Sequence, residues 1–171
     1  MIRINPGDRF IEFSQDETDQ SINERFEKQV LRNPTHIAIQ TDRLRLTYDD
    51  INKAANRVAR ALLQQYSADA PVAILMEHDA PAVIAMLGAL KASRIFIPLN
   101  PLFPDARIAH ILNNSGADLI VTNDSGLHTE LELFQDRRIV NLDHLDPDLS
   151  SDNFDLKIPP ATTSYILYTS G

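Results

Sequence analysis

At 171 residues the chain can bury a sizeable core in one domain, or in one subdomain of a larger protein, and two independent domains would be crowded. Hydrophobic residues make up 43% and charged residues 23%, which is the composition of a folded globular chain rather than a disordered one. A formal net charge of -8 with scattered Lys and Arg argues against a general nucleic-acid or anionic-membrane surface, and the lack of cysteine excludes disulfides, thiolate metal sites and a cysteine nucleophile. An acidic total leaves room for one bound nucleotide, because a phosphate site is built from local backbone dipoles and one or two cations. No apolar run approaches a membrane span and the opening MIRINPGDRF has no apolar leader core, so a cytoplasmic protein is expected.

Residues 1–20 are polar, turn acidic towards Gln20 and are broken by Pro6 and Gly7, which predicts a lead-in or linker. Ser21 caps a predicted helix with Ile22, Phe26, Val30 and Leu31 on one face; Glu24 takes the third position of a capping box and Pro34 closes the segment. Residues 36–41 and 44–46 read as a small hairpin turning at Asp42 and Arg43, with Ile37 and Ile39 on one side. Thr47 begins a second helix, with Asp50 in the capping-box position and Ile51, Ala54, Ala55, Val58, Ala59 and Leu62 as the buried stripe. Asp49 and Asp50 are adjacent carboxylates, yet successive helical positions face different directions, which favours capping over acid/base or metal chemistry.

From Pro71 the pattern is βαβα. The runs 72–76, 94–98, 118–122 and 138–142 read as strands, and 80–92 as a helix whose period shows in Val83, Ile84, Leu87 and Leu90. A further helix opens at Pro104, turns Ile108, Ile111 and Leu112 inward, and ends at Asn113, Asn114 and Gly116. Residues 125–134 suggest a short helix, and 143–161, rich in Asp, Ser and Pro, a surface connection. This order predicts an α/β fold: a three-layer, mostly parallel, doubly wound sheet with right-handed crossovers and helices on both faces, plus the small N-terminal hairpin.

The last stretch, TTSYILYTSG, carries the candidate chemistry. Thr163, Tyr165, Ile166, Leu167 and Tyr168 have the composition of a buried strand, and they run into Thr169, Ser170 and Gly171. Two hydroxyls, and a glycine that lets backbone N–H groups approach an anion, form the start of a phosphate-cradling loop; an ordinary strand end with turn chemistry uses the same residues. Ligands of doubly wound sheets bind beyond the carboxyl ends of the strands, where these three residues fall.

SYILYTSG resembles the third core motif of the adenylate-forming ligases, above all the amino-acid-activating domains of non-ribosomal peptide synthetases. Residues 46–51, LTYDDI, are similar to the first core motif, and 90–100, LKASRIFIPLN, to the second, in the family's order and at its usual separations. The likeness covers nearly all of 21–171, and implies an incomplete N-terminal subdomain of an adenylation domain that stops within the phosphate-binding loop. Ser93 stands where the family usually has a glycine just past a helix, a position that often takes the left-handed conformation, at a cost of about 1 kcal/mol for another residue. Asn100 replaces the usual aspartate, removing a charge from a strand-end loop while keeping its hydrogen bonding. Lys91 fits a cation near a helix C-terminus better than a phosphate ligand.

The resemblance implies that the parent protein joins an amino-acid carboxylate to ATP, releases pyrophosphate, and loads the aminoacyl group onto the phosphopantetheine thiol of a carrier protein. Thr169, Ser170 and Gly171 would hold ATP phosphates, with Mg²⁺ nearby. No catalytic residue and no metal ligand is expected within this chain, because the rest of the loop and the later motifs are not in the sequence. The chain alone is therefore expected to be inactive and to bind no cofactor tightly. An acyl or aryl acid ligase of the same superfamily is the alternative within the class, and a non-catalytic interaction module the alternative outside it. Truncation after a central strand would leave apolar surface, so self-association is a further expectation. His36, His78, His110, His128 and His144 lack any metal-ligand spacing, and no G-x-S-x-G, G-x-G-x-x-G or Walker loop offers a rival site.

Overall fold

A computed structural model describes residues 15–42, 44–65, 70–125, 134 and 136–169. Helix α1 (Ile22–Arg32) opens on the expected capping box: the Glu24 N–H donates to the Ser21 hydroxyl, and the Ser21 N–H to the Glu24 carboxylate at 2.8 Å. Its inward face, however, runs through Asn23 and Val30, with Glu27 half-buried between them, while Ile22 and Leu31 are exposed. The helix is rotated so that Glu27 meets the buried Lys91 ammonium, a demand that apolar periodicity does not register.

Strands β1 (Ile37–Gln40) and β2 (Arg45–Thr47) pair antiparallel, forming the predicted hairpin. The register shifts between Ile37 and Ile39, so these two do not share one covered side and Ile37 is exposed. Helix α2 (Tyr48–Gln65) starts on a second reciprocal box, in which the Thr47 N–H donates to the Asp50 carboxylate at 2.9 Å and the Asp50 N–H to the Thr47 hydroxyl at 3.1 Å. That bonding holds the Asp50 carboxyl below the usual carboxylate range, and Asp49 instead pairs with Lys53 at 2.7 Å. Capping, not paired-carboxylate chemistry, accounts for both groups.

Four parallel strands follow, β3 (Val72–Leu75), β4 (Phe96–Leu99), β5 (Leu119–Thr122) and β6 (Arg138–Asn141), in the spatial order β4-β3-β5-β6. Alternate residues feed two cores. Val72, Ile74, Phe96, Leu119, Val121 and Val140 pack with α2 and with α3 (Ala80–Lys91) on one face. Ala73, Leu75, Ile97, Leu99 and Ile120 pack with Ile108, Ile111 and Leu112 of α4 (Asp105–Ser115) on the other. The three-layer, doubly wound arrangement expected from the sequence is present.

Helix α3 departs from the expectation in its rotation. Val83 is exposed and Ile84, Leu87 and Leu90 are only partly covered, while Ala82, Ala85, Gly88 and Ala89 are buried. The small face lets α3 lie close to α2: a Cβ added at Gly88 would stand 2.6 Å from the Cβ of Val58 and 3.1 Å from the Ala55 carbonyl oxygen. Past α3, Ser93 takes φ 56, the left-handed conformation anticipated there. Helix α4 ends at Gly116 with φ 70, as its sequence predicted. The short helix suggested at 125–134 lies outside the described residues except at its two ends.

The run 143–161 is more than a surface connection. Leu149 is buried, and residues 149–153 lie along α2: the Asn56 amide donates to the Ser151 carbonyl and to Asn153 Oδ1, both at 2.8 Å, the Asn52 amide to the same Asn153 oxygen at 2.9 Å, and Arg60 to the Asp152 carbonyl at 2.7 Å. The strap explains how Asn52 and Asn56 come to be buried on a helix otherwise lined by apolar side chains.

Candidate nucleotide site

The terminal segment lies against the outer side of β4. Tyr165 forms a parallel bridge with Phe96; the Phe96 N–H donates to the Ser164 carbonyl at 3.1 Å and the Ile166 N–H to the Phe96 carbonyl at 3.0 Å. The direction is that required of a strand that delivers a loop beyond the carboxyl end of the sheet.

Burial differs from the expectation. Tyr165 is 51% and Leu167 61% exposed, whereas Ile166 and Tyr168 lean onto the α4 side and are half-buried there. Such alternation belongs to a strand covered on one face, and the segment sits at the edge of the sheet rather than between two strands. Its two anchors are aromatic. The Tyr165 ring rests on Phe96 with centroids 5.6 Å apart, and the Tyr168 hydroxyl donates to Asn114 Oδ1 at 2.8 Å.

Thr169 is exposed at the end of this segment; Ser170 and Gly171 lie outside the described residues. Lys91 is buried in the last turn of α3 against Glu27, and burial holds its ammonium pKa below the ordinary 10.5, opposed by the hydrogen bond and the charge of Glu27. Asn100 keeps the hydrogen bonding of an aspartate, its Oδ1 accepting the Leu102 N–H at 2.9 Å. The crossovers of β3 and β5 leave in opposite directions, and the crevice such a switch point opens is bridged here, the buried Thr122 hydroxyl donating to the Leu75 carbonyl at 2.8 Å. Among the described residues no group of three or more His, Asp or Glu side chains could hold a metal ion, and His144 instead meets Asp124 at 3.1 Å.

A parallel sheet with helices on both faces carries this segment, and the chain belongs to the family of AMP-binding enzymes, which matches residues 26–171. Its relatives are peptide synthetases. Tyrocidine synthase 2 of Brevibacillus parabrevis is 34% identical over 90% of this chain and 4% of its own length. The AMPPNP-bound structure of FmoA3, a non-ribosomal peptide synthetase, superposes with a TM-score of 0.82 at 27% identity, over 89% of this chain and 16% of that one. The N-terminal subdomain of NpsA from Klebsiella oxytoca shares the fold, with a TM-score of 0.74 at 20% identity over 90% of this chain and 40% of that one. The chain thus spans a minor part of each of these proteins. Among the described residues, no helix is long and apolar enough to cross a membrane.

Proposed function

We propose that residues 21–171 are the first part of the N-terminal subdomain of an amino-acid-adenylating domain, preceded by a lead-in at 1–20. The observation that carries this reading is the segment 164–168 lying parallel to β4 in a chain that matches the AMP-binding enzymes from residue 26 onward. The coverage of 40% of an isolated N-terminal subdomain supports a piece of that subdomain rather than the whole of it.

In the complete protein, an oxygen of the amino-acid carboxylate attacks the α-phosphorus of ATP, pyrophosphate leaves, and the aminoacyl adenylate forms. The thiol of a phosphopantetheine arm on a carrier protein then attacks the acyl carbon and AMP leaves. The part assigned to this chain is positioning: Thr169 and Ser170 offer hydroxyls, and Gly171 backbone N–H approach, to the β and γ phosphates. Mg²⁺, when bound with the nucleotide, spreads the phosphate charge. The described residues fit a supporting role only, since they offer no carboxylate cluster to hold the ion themselves. An ATP-dependent reaction of this kind is placed in the cytoplasm.

Amino-acid-dependent exchange of pyrophosphate into ATP tests the reading. The full-length protein should exchange with one or a few amino acids, and the 171-residue chain alone should not. Exchange by the isolated chain, or none by the full-length protein with any amino acid, would overturn it.

A further inference from the structure

Helix α2 and the run that follows β6 carry opposite charge. The helix holds Lys53, Arg57 and Arg60 at successive turns, whereas residues 143–148 read DHLDPD and supply Asp143, Asp146 and Asp148. Between these two elements and the first turn of α3 lies an open groove of about 420 Å³. Val58 of α2, Ile84 of α3 and the pair Leu142 and Leu145 give it an apolar lining, with Arg57 on the α2 wall and Asp143 and Asp146 on the wall that follows β6.

The other two cations of α2 are engaged within the chain. Lys53 pairs with Asp49, and Arg60 donates to the Asp152 carbonyl and lies 4.8 Å over the Phe154 ring. Arg57 differs. Its Nε donates to the Leu149 carbonyl at 3.3 Å, and among the described residues its guanidinium meets no carboxylate. Asp143 and Asp146 each accept a backbone N–H, from Asp124 at 3.0 Å and from Asp148 at 2.9 Å, and neither pairs with a cation among the described residues. Asp143 is thereby fastened to the end of β5, while Asp146 is bonded only within its own turn and is the carboxylate freer to meet a second molecule.

A surface with an apolar lining, a cation on one wall and anions on the other is complementary to itself under a two-fold axis, because each wall then faces the opposite wall of the other copy. A partner of a single charge sign would satisfy one wall and be repelled by the other. We propose that this groove is the interface of a homodimer, in which Arg57 of each copy meets Asp146 of the other and the apolar linings of the two grooves close between them.

Sedimentation of the full-length protein tests the interface. The wild type should form dimers by about 100 µM, as expected of a small interface with a polar rim. Arg57→Glu and Asp146→Arg each set like charges against one another at both contacts, so each should raise the dimer Kd about tenfold or more. Both positions are exposed, and each variant should melt as the wild type does. Mixing the two variants separates the interface from any effect within one copy. In the mixed pair every contact is again a cation against an anion, and heterodimers should form with a Kd within about threefold of the wild-type value. A disturbance confined to one copy, such as a weaker hold of Arg57 on Leu149, would not be repaired by mixing.

A full-length protein that stays monomeric at about 100 µM overturns the proposal. So does a dimer that neither reversal weakens, and so does a mixture of the two variants that fails to associate. Each of these outcomes leaves the functional reading standing, since pyrophosphate exchange tests that separately.

Discussion

β3 and the terminal segment at 163–169 share a composition of apolar, β-branched or aromatic residues and end in opposite surroundings. Every residue of β3 is buried, because β4 and β5 flank it and helices cover both faces. The terminal segment has β4 on one side, a single bridge, and an alternation of exposed and half-covered residues. Composition thus declares that a stretch will be extended, while burial depends on how many neighbours the topology provides.

The comparison is broken most sharply by matched truncations. Ile74→Ala in β3, where the side chain is 1% exposed, should lower unfolding stability by about 2–5 kcal/mol in urea titrations, and a loss under about 1 kcal/mol would show that the interior is not packed as described. Gly88→Ala tests the same core from α3. The new methyl must displace Val58 or part α2 from α3, at a cost of about 1–3 kcal/mol in the same titration.

Lys91 gives the interior a pH signature. Burial favours its uncharged amine, so its folded pKa lies below 10.5 and the unfolded chain binds its proton more tightly across that interval. The contribution of this group to stability therefore rises as pH climbs from the folded pKa to 10.5, and is flat above. In Lys91→Met that alkaline rise in the urea midpoint should vanish.

Smaller effects belong to exposed positions. Ser93→Gly relieves a left-handed backbone and should stabilise by about 0.5–1 kcal/mol, whereas Ser93→Ala should not. Leu167→Ala, at a side chain 61% exposed, should fall within about 0.5 kcal/mol of wild type in this chain. The same substitution measured in the full-length protein then reads how much of this edge another part of the protein covers.

Legibility followed the range of the interaction. Both capping boxes, at Ser21 with Glu24 and at Thr47 with Asp50, are complete within a few residues and could be read directly. So could the helix end at Gly116 and the order of strands and helices, while the αL position at Ser93 followed from the resemblance to a family that usually has glycine there. The rotation of α3 could not, since an apolar count favours Val83 and Leu87, and only the nearness of Val58 selects Ala85 and Gly88 for the buried face. The rotation of α1 was hidden for a similar reason, its partner Lys91 being far along the chain. Of the candidate site, the extended run that leads to Thr169 was legible in its composition, and the hydrogen bond from Tyr168 to Asn114 was not, because a helix-ending asparagine and a strand tyrosine carry no shared local pattern.

The strap on α2 has a consequence in time as well as in space. Asn52 and Asn56 meet Asn153 across 101 and 97 residues of chain, so these contacts close only after the four strands between have brought the ends together. The amides of segment 149–153 should exchange with solvent before those of β3 and β5, and equal protection would show that the strap and the sheet open together.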